Sequence, residues 1–214
     1  MLGLRGFYAI LDLTPALAGD EGRALELARR LLAARPCCLQ LRAKSAGART
    51  FATWARRLLP LCRVASVPFC VNDRLDVALA AGADIAHLGQ DDLPLVDARR
   101  VATGAGRSDL IIGISTHNRA QAIAATEAGA DYLGFGPVFG TASKANPDPI
   151  VGLDALAAVC RAVSVPVVAI GGVTLETVGD VAAAGASATA VIAAIATAPD
   201  PTAAGRQVAS AFGG

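Results

Sequence analysis

This chain of 214 residues contains few lysines and histidines, has no long apolar segment and carries little net charge. No apolar run reaches the roughly 18 residues that a membrane-spanning helix needs, so we expect no such helix. The net charge is only +1, which provides no basic face for nucleic acid or an anionic membrane. Residues 1–12 lack the basic and long apolar segments of a secretion signal, so we expect a cytoplasmic protein.

The five cysteines include no Cys-x-x-Cys pair, and their odd number leaves one without a partner. This pattern favours buried free thiols over a disulfide framework or a thiolate metal site. No Ser-His-Asp or Cys-His spacing indicates a covalent nucleophile.

The sequence does contain an eightfold alternation of short apolar runs and amphipathic segments. The runs predict strands at residues 7–11, 38–42, 68–71, 85–88, 110–114, 132–135, 167–170 and 188–192. The segments between them predict helices at 21–34, 48–64 and 75–81, from 94 onward, at 118–128, from 150 to 162, at 174–184 and onward to about 212. Continuous apolar runs are typical of parallel strands that are covered on both faces.

Short repeats support one structural unit that is used several times. Ala-Gly-Ala-Asp occurs at 81–84 and 128–131, and Ala-Gly-Ala-Ser at 184–187, each where a helix ends and a strand begins. Glycine there suits a left-handed helix cap. We therefore predict an α/β fold in which residues 1–214 form a single-domain (β/α)₈ TIM barrel with catalytic function. A doubly wound open sheet is the alternative, but it lacks a Gly-x-Gly-x-x-Gly after the first strand.

Polar residues follow the predicted strands, at the end of the barrel where active sites form. Gln40, Arg42 and Lys44 share one face of the second strand, which suits an anionic ligand, although a solvated edge strand is the alternative. Lys44 and Lys144 are the only two lysines among 19 basic residues, which favours a need for a compact ammonium at both positions.

Asp73 and Asp92 follow neighbouring strands and would face one cavity. Carboxylates without cysteine favour a hard cation such as Mg²⁺, which also binds water and substrate phosphates. The alternatives are a turn role for Asp73 and a helix-cap role for Asp91 or Asp92 before Pro94.

Further candidates follow the later strands. Gly171-Gly172 before Thr174, proposed as a helix cap, would let backbone N–H groups approach a phosphate, or would merely form a tight turn. His87 is interpreted as a hydrogen-bonded core residue, whereas His117 at a strand end could contact a ligand or move a proton. The residues alone thus predict a barrel enzyme with a Mg²⁺–phosphate cluster and a second phosphate site, suited to release of diphosphate.

Seven motifs, spread over nearly the whole chain, resemble those of the thiamine phosphate synthase family. They are Gln-Leu-Arg-Ala-Lys (40–44), Val-Asn-Asp-Arg (71–74), His-Leu-Gly-Gln-Asp-Asp (87–92), Gly-Ile-Ser-Thr-His (113–117), Asp-Tyr-Leu-Gly-Phe-Gly-Pro-Val-Phe (131–139), Thr-Ala-Ser-Lys (141–144) and Ala-Ile-Gly-Gly (169–172).

The resemblance implies an enzyme that joins a pyrimidine methyl diphosphate to a thiazole phosphate by a dissociative route, releasing diphosphate. It implies that the pyrimidine diphosphate is held by Gln40, Arg42, Lys44, Asn72, Ser115 and Lys144. It implies that Asp73 and Asp92 hold Mg²⁺. It implies that the thiazole phosphate is held by Thr141, Ala142, Ser143, Gly172, Ile192 and Ala193.

Three departures from the family pattern concern the thiazole phosphate site. Ala193 replaces a small hydroxyl residue, Gly140 replaces proline and Ser143 replaces threonine. A related thiazole tautomerase, with a histidine at the position of His117, is one alternative, but it lacks the paired carboxylates. A non-catalytic thiamine-precursor binder is another, and the intact lysines and carboxylates argue against it.

Overall fold

Eight parallel strands close into a ring in the computed structural model of the chain, which describes residues 3–140 and 149–213. The strands are β1 (Gly6–Asp12), β2 (Cys38–Arg42), β3 (Phe69–Asn72), β4 (Ile85–Leu88), β5 (Ile111–Thr116), β6 (Tyr132–Phe135), β7 (Val167–Ile170) and β8 (Ala188–Val191). Each strand pairs with the next, and β8 pairs with β1. The ring confirms the predicted barrel, and it excludes both the open sheet and an edge position for β2.

Helices surround the ring and connect the strands. They are α1 (Pro15–Ala18), α2 (Glu21–Ala33), α3 (Ala48–Ala65), α4 (Leu75–Ala81), α5 (Leu95–Gly104), α6 (Arg119–Glu127), α7 (Gly152–Ala162), α8 (Val178–Ala183), α9 (Ala193–Ala196) and α10 (Pro201–Ser210). Within the described ranges, none of them combines the length and apolar character needed to traverse a bilayer.

The strands separate two layers of buried side chains. Leu39 and Leu41 point outward into the layer that the helices cover, where Phe51 and Trp54 of α3 also pack. The inner layer includes Tyr8, Ile10, Cys38, Cys70, Ile85 and Tyr132. All five cysteines are free thiols, as predicted, but only Cys38, Cys62 and Cys70 are buried, whereas Cys37 and Cys160 are partly exposed. The alternation along each strand therefore decides which side chains enter the barrel.

The repeated tetrapeptides turn the chain from a helix into β4, β6 and β8, which are alternate strands of the barrel. Gly82, Gly129 and Gly185 have φ angles of 72°, 90° and 95°, which glycine adopts without steric cost. Asp84 accepts a hydrogen bond from the first N–H of β3 and pairs with Arg63. Asp131 accepts likewise from Ile112 of β5 and pairs with Arg99. The two repeats that end in aspartate thus fasten the start of the neighbouring strand.

Three predicted details of the helices are wrong. The helix after β7 begins at Val178, and Thr177 rather than Thr174 is its N-cap residue. Residues 174–177 form a turn in which the Thr177 hydroxyl accepts from the Thr174 N–H at 3.0 Å. Neither Asp91 nor Asp92 caps α5, which has no side-chain cap. The single last helix is two helices, and the second begins with Pro201 after the capping residue Asp200.

Glycine at position 113 makes room for an aromatic ring inside the barrel. A Cβ on Gly113 would overlap the Tyr132 ring, whereas a Cβ on Gly179 of α8 would meet no atom within 4 Å. We therefore expect Gly113→Ala to lower the free energy of unfolding by about 1–3 kcal/mol. The control Gly179→Ala should be neutral or add up to about 1 kcal/mol, since alanine favours helix. Urea-induced unfolding measures both values, and equal stabilities would contradict the steric argument.

Candidate active site

The carboxyl ends of the strands bring charged side chains together at one mouth of the barrel. Asp12 of β1 lies opposite Arg42 of β2 in the strand register. The Arg42 Nη1 atom donates to Asp12 Oδ2 at 2.7 Å, and both side chains are less than one-fifth exposed. The Leu13 N–H also donates to the Arg42 carbonyl at 2.7 Å. The ion pair holds the Arg42 guanidinium in one orientation, and the backbone bond fastens the end of β2 to the chain after β1.

Lys44 and Asp73 form the second ion pair of the mouth, with 2.6 Å between Nζ and Oδ2. Asp73 has a φ angle of 63°, in the left-handed region that residues other than glycine seldom adopt. Its N–H donates to the His87 carbonyl at 2.8 Å, which fastens the strained residue to β4. Such strain is found often at functional sites.

Asp92 lies beside this pair and is half-buried. Burial is the main cause that raises the pKa of Asp92 above its usual value. The Gly89 N–H, which donates to Oδ2 at 2.7 Å, opposes the rise, and the nearby Asp73 carboxylate adds to it. Two carboxylates that destabilise each other's charge form a place where a cation is favoured.

The donor set at this place fits Mg²⁺ rather than a thiolate or imidazole metal. In the ranges 3–140 and 149–213, no cluster of three or more His, Cys, Asp or Glu side chains occurs. Mg²⁺ commonly takes one or two carboxylates and completes its shell with water and substrate phosphates. The structure brings Asp73 and Asp92 together, as the sequence indicated, and their binding of Mg²⁺ stays a prediction.

A chain of hydrogen bonds crosses the barrel interior below the mouth. Gln40 Nε2 donates to the Tyr8 hydroxyl at 3.0 Å, and the Tyr8 and Tyr132 hydroxyl oxygens are 2.9 Å apart. The Tyr132 hydroxyl lies 2.9 Å from His87 Nδ1, and Ser115 Oγ lies 2.9 Å from His87 Nε2. Gln40 and Ser115, two predicted substrate contacts, are therefore the two ends of one network.

Burial keeps the members of this network uncharged. It lowers the pKa of His87 to about 4, so the imidazole is neutral near pH 7. Burial also raises the pKa values of Tyr8 and Tyr132 well above their usual range, so both phenols keep their protons. His87 is thus a hydrogen-bonded interior residue, as predicted.

The remaining candidates on β3 and β5 also lie at the mouth. Asn72 is buried at the end of β3, opposite His87 in the register. His117 follows β5, and its Nδ1 atom lies 2.6 Å from the Gly136 carbonyl oxygen. Gln90 Nε2 donates to the Ser115 carbonyl at 2.6 Å, which ties the loop after β4 to β5.

The loops after β6, β7 and β8 complete the mouth. Gly171 and Gly172 have φ angles of 96° and 65°, and a Cβ on Gly172 would overlap the Gly140 carbonyl oxygen. The glycine pair therefore permits a close approach between two loops, as a tight turn requires. Ile192 and Ala193 stand where β8 leads into α9. Contact of Gly172, Ile192 and Ala193 with a phosphate stays a prediction.

Four predicted site residues lie outside the described residues: Thr141, Ala142, Ser143 and Lys144. Their roles in binding the thiazole phosphate and the pyrimidine diphosphate likewise stay predictions.

Several residues of this arrangement were not singled out from the sequence. They are Asp12, Tyr8, Tyr132 and Gln90, the last of which donates to the Ser115 carbonyl. One signal was available, because the chain has only two tyrosines and both stand inside apolar strands. A phenol at such a position needs a buried hydrogen-bond partner.

Comparisons with known proteins agree with this arrangement. Thiamine-phosphate synthases of Chlorobium phaeovibrioides and Methanocella arvoryzae are 45% and 48% identical to this chain over 185 and 194 residues. The alignments cover 86% and 88% of this chain and 87% and 90% of those proteins.

The solved structures point the same way. Thiamine phosphate pyrophosphorylase from Pyrococcus furiosus superposes with a TM-score of 0.85 at 32% identity, covering 99% of this chain and 96% of that one. A 3-hexulose-6-phosphate synthase, at 19% identity and a TM-score of 0.71, shares the fold alone. A family model described as thiamine monophosphate synthase matches residues 7–195. The chain therefore belongs to the thiamine monophosphate synthase family.

Proposed function

We propose that this chain is a transferase that makes thiamine phosphate and diphosphate from two phosphorylated substrates. One is 4-amino-2-methyl-5-(diphosphomethyl)pyrimidine, and the other is 4-methyl-5-(2-phosphoethyl)thiazole or its carboxylated form, from which CO₂ is released as a further product. The observation that carries the proposal is the group of Lys44, Asp73 and Asp92 next to the Arg42–Asp12 pair. Two cations and a carboxylate pair within one mouth suit a diphosphate that binds with Mg²⁺.

The diphosphate is assigned to the rim and the pyrimidine to the interior. Arg42 and Lys44 donate charge-assisted hydrogen bonds to the phosphate oxygens, and Asn72 and Lys144 are assigned to the same substrate. Gln40 and Ser115 offer neutral hydrogen bonds deeper in the barrel. Mg²⁺ held by Asp73 and Asp92 would supply charge stabilisation to the diphosphate.

The chain's own residues favour a dissociative reaction. The bond between the pyrimidine methylene carbon and the diphosphate oxygen breaks, and its electron pair leaves on the oxygen, where Arg42 and Lys44 stabilise the charge. The thiazole nitrogen then uses its lone pair to form the new carbon–nitrogen bond. The buried walls around Tyr8, Tyr132 and His87 restrict water, which would otherwise trap the pyrimidine cation.

The thiazole phosphate is assigned to the opposite rim. Gly172 and the start of α9 at Ile192 and Ala193 offer backbone N–H groups, and Thr141, Ala142 and Ser143 complete the set. Because Ala193 has no hydroxyl, its contact is limited to the backbone.

Removing one carboxylate of the proposed metal pair should stop the reaction. We expect Asp73→Asn to lower diphosphate release by about 10²-fold or more in the presence of both substrates and Mg²⁺. The matched control is Asp109→Asn, since Asp109 is an exposed surface residue that pairs with Arg107. A coupled assay for diphosphate, with thiamine phosphate measured in parallel, gives both rates. Unchanged release by Asp73→Asn would contradict the assignment.

The same assay separates the alternative functions. A thiazole tautomerase would isomerise the thiazole phosphate without diphosphate release, and its rate would depend on His117. A precursor binder would bind one substrate and release nothing. Either result with the folded wild-type protein would overturn the proposed synthase activity.

Lys44 competes with a metal ion for Asp73 when no diphosphate is bound, because its ammonium already lies 2.6 Å from the carboxylate. We expect Lys44→Met to tighten Mn²⁺ binding several-fold in the absence of substrates, since a partly exposed charge contributes about 1 kcal/mol. With inorganic pyrophosphate present, the same variant should bind Mn²⁺ and pyrophosphate more weakly than the wild type.

Electron paramagnetic resonance of free Mn²⁺ measures this binding directly. Arg29→Met is the control, because it removes one exposed cation on α2 that pairs with Glu26. Equal Mn²⁺ affinities for Lys44→Met and the control would show that Lys44 does not compete for the carboxylate.

A further inference from the structure

Asp12, at the end of β1, is an acidic residue of the mouth to which the proposed function assigns no task. We infer that Asp12 is a positioning residue: its carboxylate holds the Arg42 guanidinium in the orientation that binds the substrate diphosphate, and it does not bind the metal ion. The inference rests on the proposed function in taking Arg42 as a diphosphate contact. It goes further in giving a residue of β1 a role in the reaction.

Both side chains of the pair point into the mouth of the barrel. On β1, Asp12 shares the inward face with Tyr8 and Ile10. On β2, Arg42 shares the inward face with Cys38. The strand register places Asp12 directly opposite Arg42, so the carboxylate meets the guanidinium across one pair of neighbouring strands. The pair therefore lies at the mouth, one layer above the inner side chains.

A short side chain on a fixed backbone orients a long one here. The Leu13 N–H donates to the Arg42 carbonyl at 2.7 Å, and the Thr14 N–H donates to the Asp12 carbonyl at 3.0 Å. The backbone that carries the carboxylate is thus held in place. An arginine side chain has many more rotamers to lose than an aspartate. The contact of 2.7 Å between Nη1 and Oδ2 supplies the restraint before any substrate binds.

Shielding from solvent makes this ion pair effective. The Arg42 and Asp12 side chains are 19% and 17% exposed. The side chains of the Arg29–Glu26 pair on α2, in contrast, are more than half exposed. Exposed ion pairs contribute little because water and salt screen them, whereas partly buried pairs are screened much less. The Asp12 contact can therefore keep the guanidinium in one place.

The contact also leaves the guanidinium able to bind phosphate. It uses a hydrogen of Nη1, and a guanidinium carries five N–H donors in one plane. When a carboxylate holds one edge of that plane, the donors on the other edges have fixed directions. Fixed, planar donors suit the recognition of phosphate oxygens by paired hydrogen bonds. A lysine at position 42 would offer only a point charge.

The contacts of Asp12 favour this role over metal binding. Within residues 3–140 and 149–213, the Asp12 carboxylate has no partner other than Arg42. Asp12 does not join Asp73 and Asp92 in a common set either, because no three potential metal ligands gather in those ranges. The acidic residues of the mouth thus divide into a pair suited to a cation and one that orients an arginine.

Binding of inorganic pyrophosphate in the presence of Mg²⁺ tests the inference without any reaction. Loss of the Asp12 carboxylate removes a negative charge, which favours anion binding, and frees Arg42, which disfavours it. The second effect should prevail, because salt screens the net charge of an open mouth. We expect Asp12→Ala to raise the pyrophosphate Kd about 5-fold in titration calorimetry. Unchanged or tighter binding by the folded variant would overturn the inference.

Asp12→Asn separates positioning from charge and from metal binding. Its amide oxygen can accept from Arg42 at the same place, but the negative charge is gone. This variant should recover most of the pyrophosphate affinity that Asp12→Ala loses, and its Mg²⁺ requirement should equal that of the wild type. An asparagine variant as impaired as the alanine variant, or one that needs more Mg²⁺, would contradict the positioning role.

Kinetics show whether Asp12 acts through Arg42. With both substrates and Mg²⁺, we expect Asp12→Ala to lower kcat/KM for the pyrimidine diphosphate by about 10-fold. The KM for the thiazole phosphate should not change, since that substrate is assigned to the opposite rim. In an Arg42→Met background, Asp12→Ala should have no further effect, because the group that it positions is gone.

Losses that multiply in the double variant, or altered KM values for both substrates, would show a merely structural role and overturn the inference. The double variant contains no unpaired guanidinium, so its comparison with Arg42→Met decides the question even where Asp12→Ala does not fold. The matched control is Asp97→Ala, which removes a carboxylate that pairs with Arg100 on α5. This control should bind pyrophosphate and react as the wild type does.

The two assays distinguish failure of the inference from failure of the proposed function. A wild-type protein that binds pyrophosphate but forms no thiamine phosphate would count against the proposed function alone, and the pyrophosphate titrations would still decide the role of Asp12. An active wild type with an equally active Asp12→Ala variant would overturn the inference alone. A wild type that binds no pyrophosphate would also overturn it, since Arg42 would then not contact a diphosphate.

Discussion

Closure of eight parallel strands into one ring is the constraint on which the site depends. Because all strands point the same way, their carboxyl ends meet at one mouth. Asp12, Arg42, Asp73, Asp92 and Ser115 are far apart along the chain, yet five consecutive strands or the loops that follow them deliver these residues to the same rim. The register then sets which of them touch, as it does for Asp12 and Arg42.

The charges at the rim are arranged in opposing pairs. Arg42 forms an ion pair with Asp12, and Lys44 forms one with Asp73, so each cation is held in place by a carboxylate. Asp92 has no such cation in direct contact in the described part of the chain, and burial together with Asp73 raises its pKa. The mouth is therefore well suited to receive an anion and a cation at once, which matches a diphosphate bound with a metal ion.

The barrel interior below the rim contains polar side chains that form hydrogen bonds with one another. In the described ranges, no buried side-chain nitrogen or oxygen lacks a hydrogen-bond partner. This matters because an unpaired buried polar group costs about 1–3 kcal/mol. Gly113 leaves the space that the Tyr132 ring fills, and the ring in turn reaches His87. Packing and hydrogen bonding together thus hold the His87 ring and the Ser115 oxygen in place.

The sequence by itself determined the strand order, the barrel class and most candidate site residues. The spacing of apolar residues and the positions of turn residues carry this information, because both are local features of the chain. Five elements, 38–42, 75–81, 85–88, 132–135 and 167–170, have the predicted bounds. The start of α8 was missed because Thr174 and Thr177 are both of a residue type that favours the N-cap position, and the local sequence does not distinguish them. The tertiary structure alone decided the Asp12–Arg42 pair, the strain at Asp73 and the network from Gln40 to Ser115. These features join residues from different strands, so they depend on register and ring closure, which no local pattern contains.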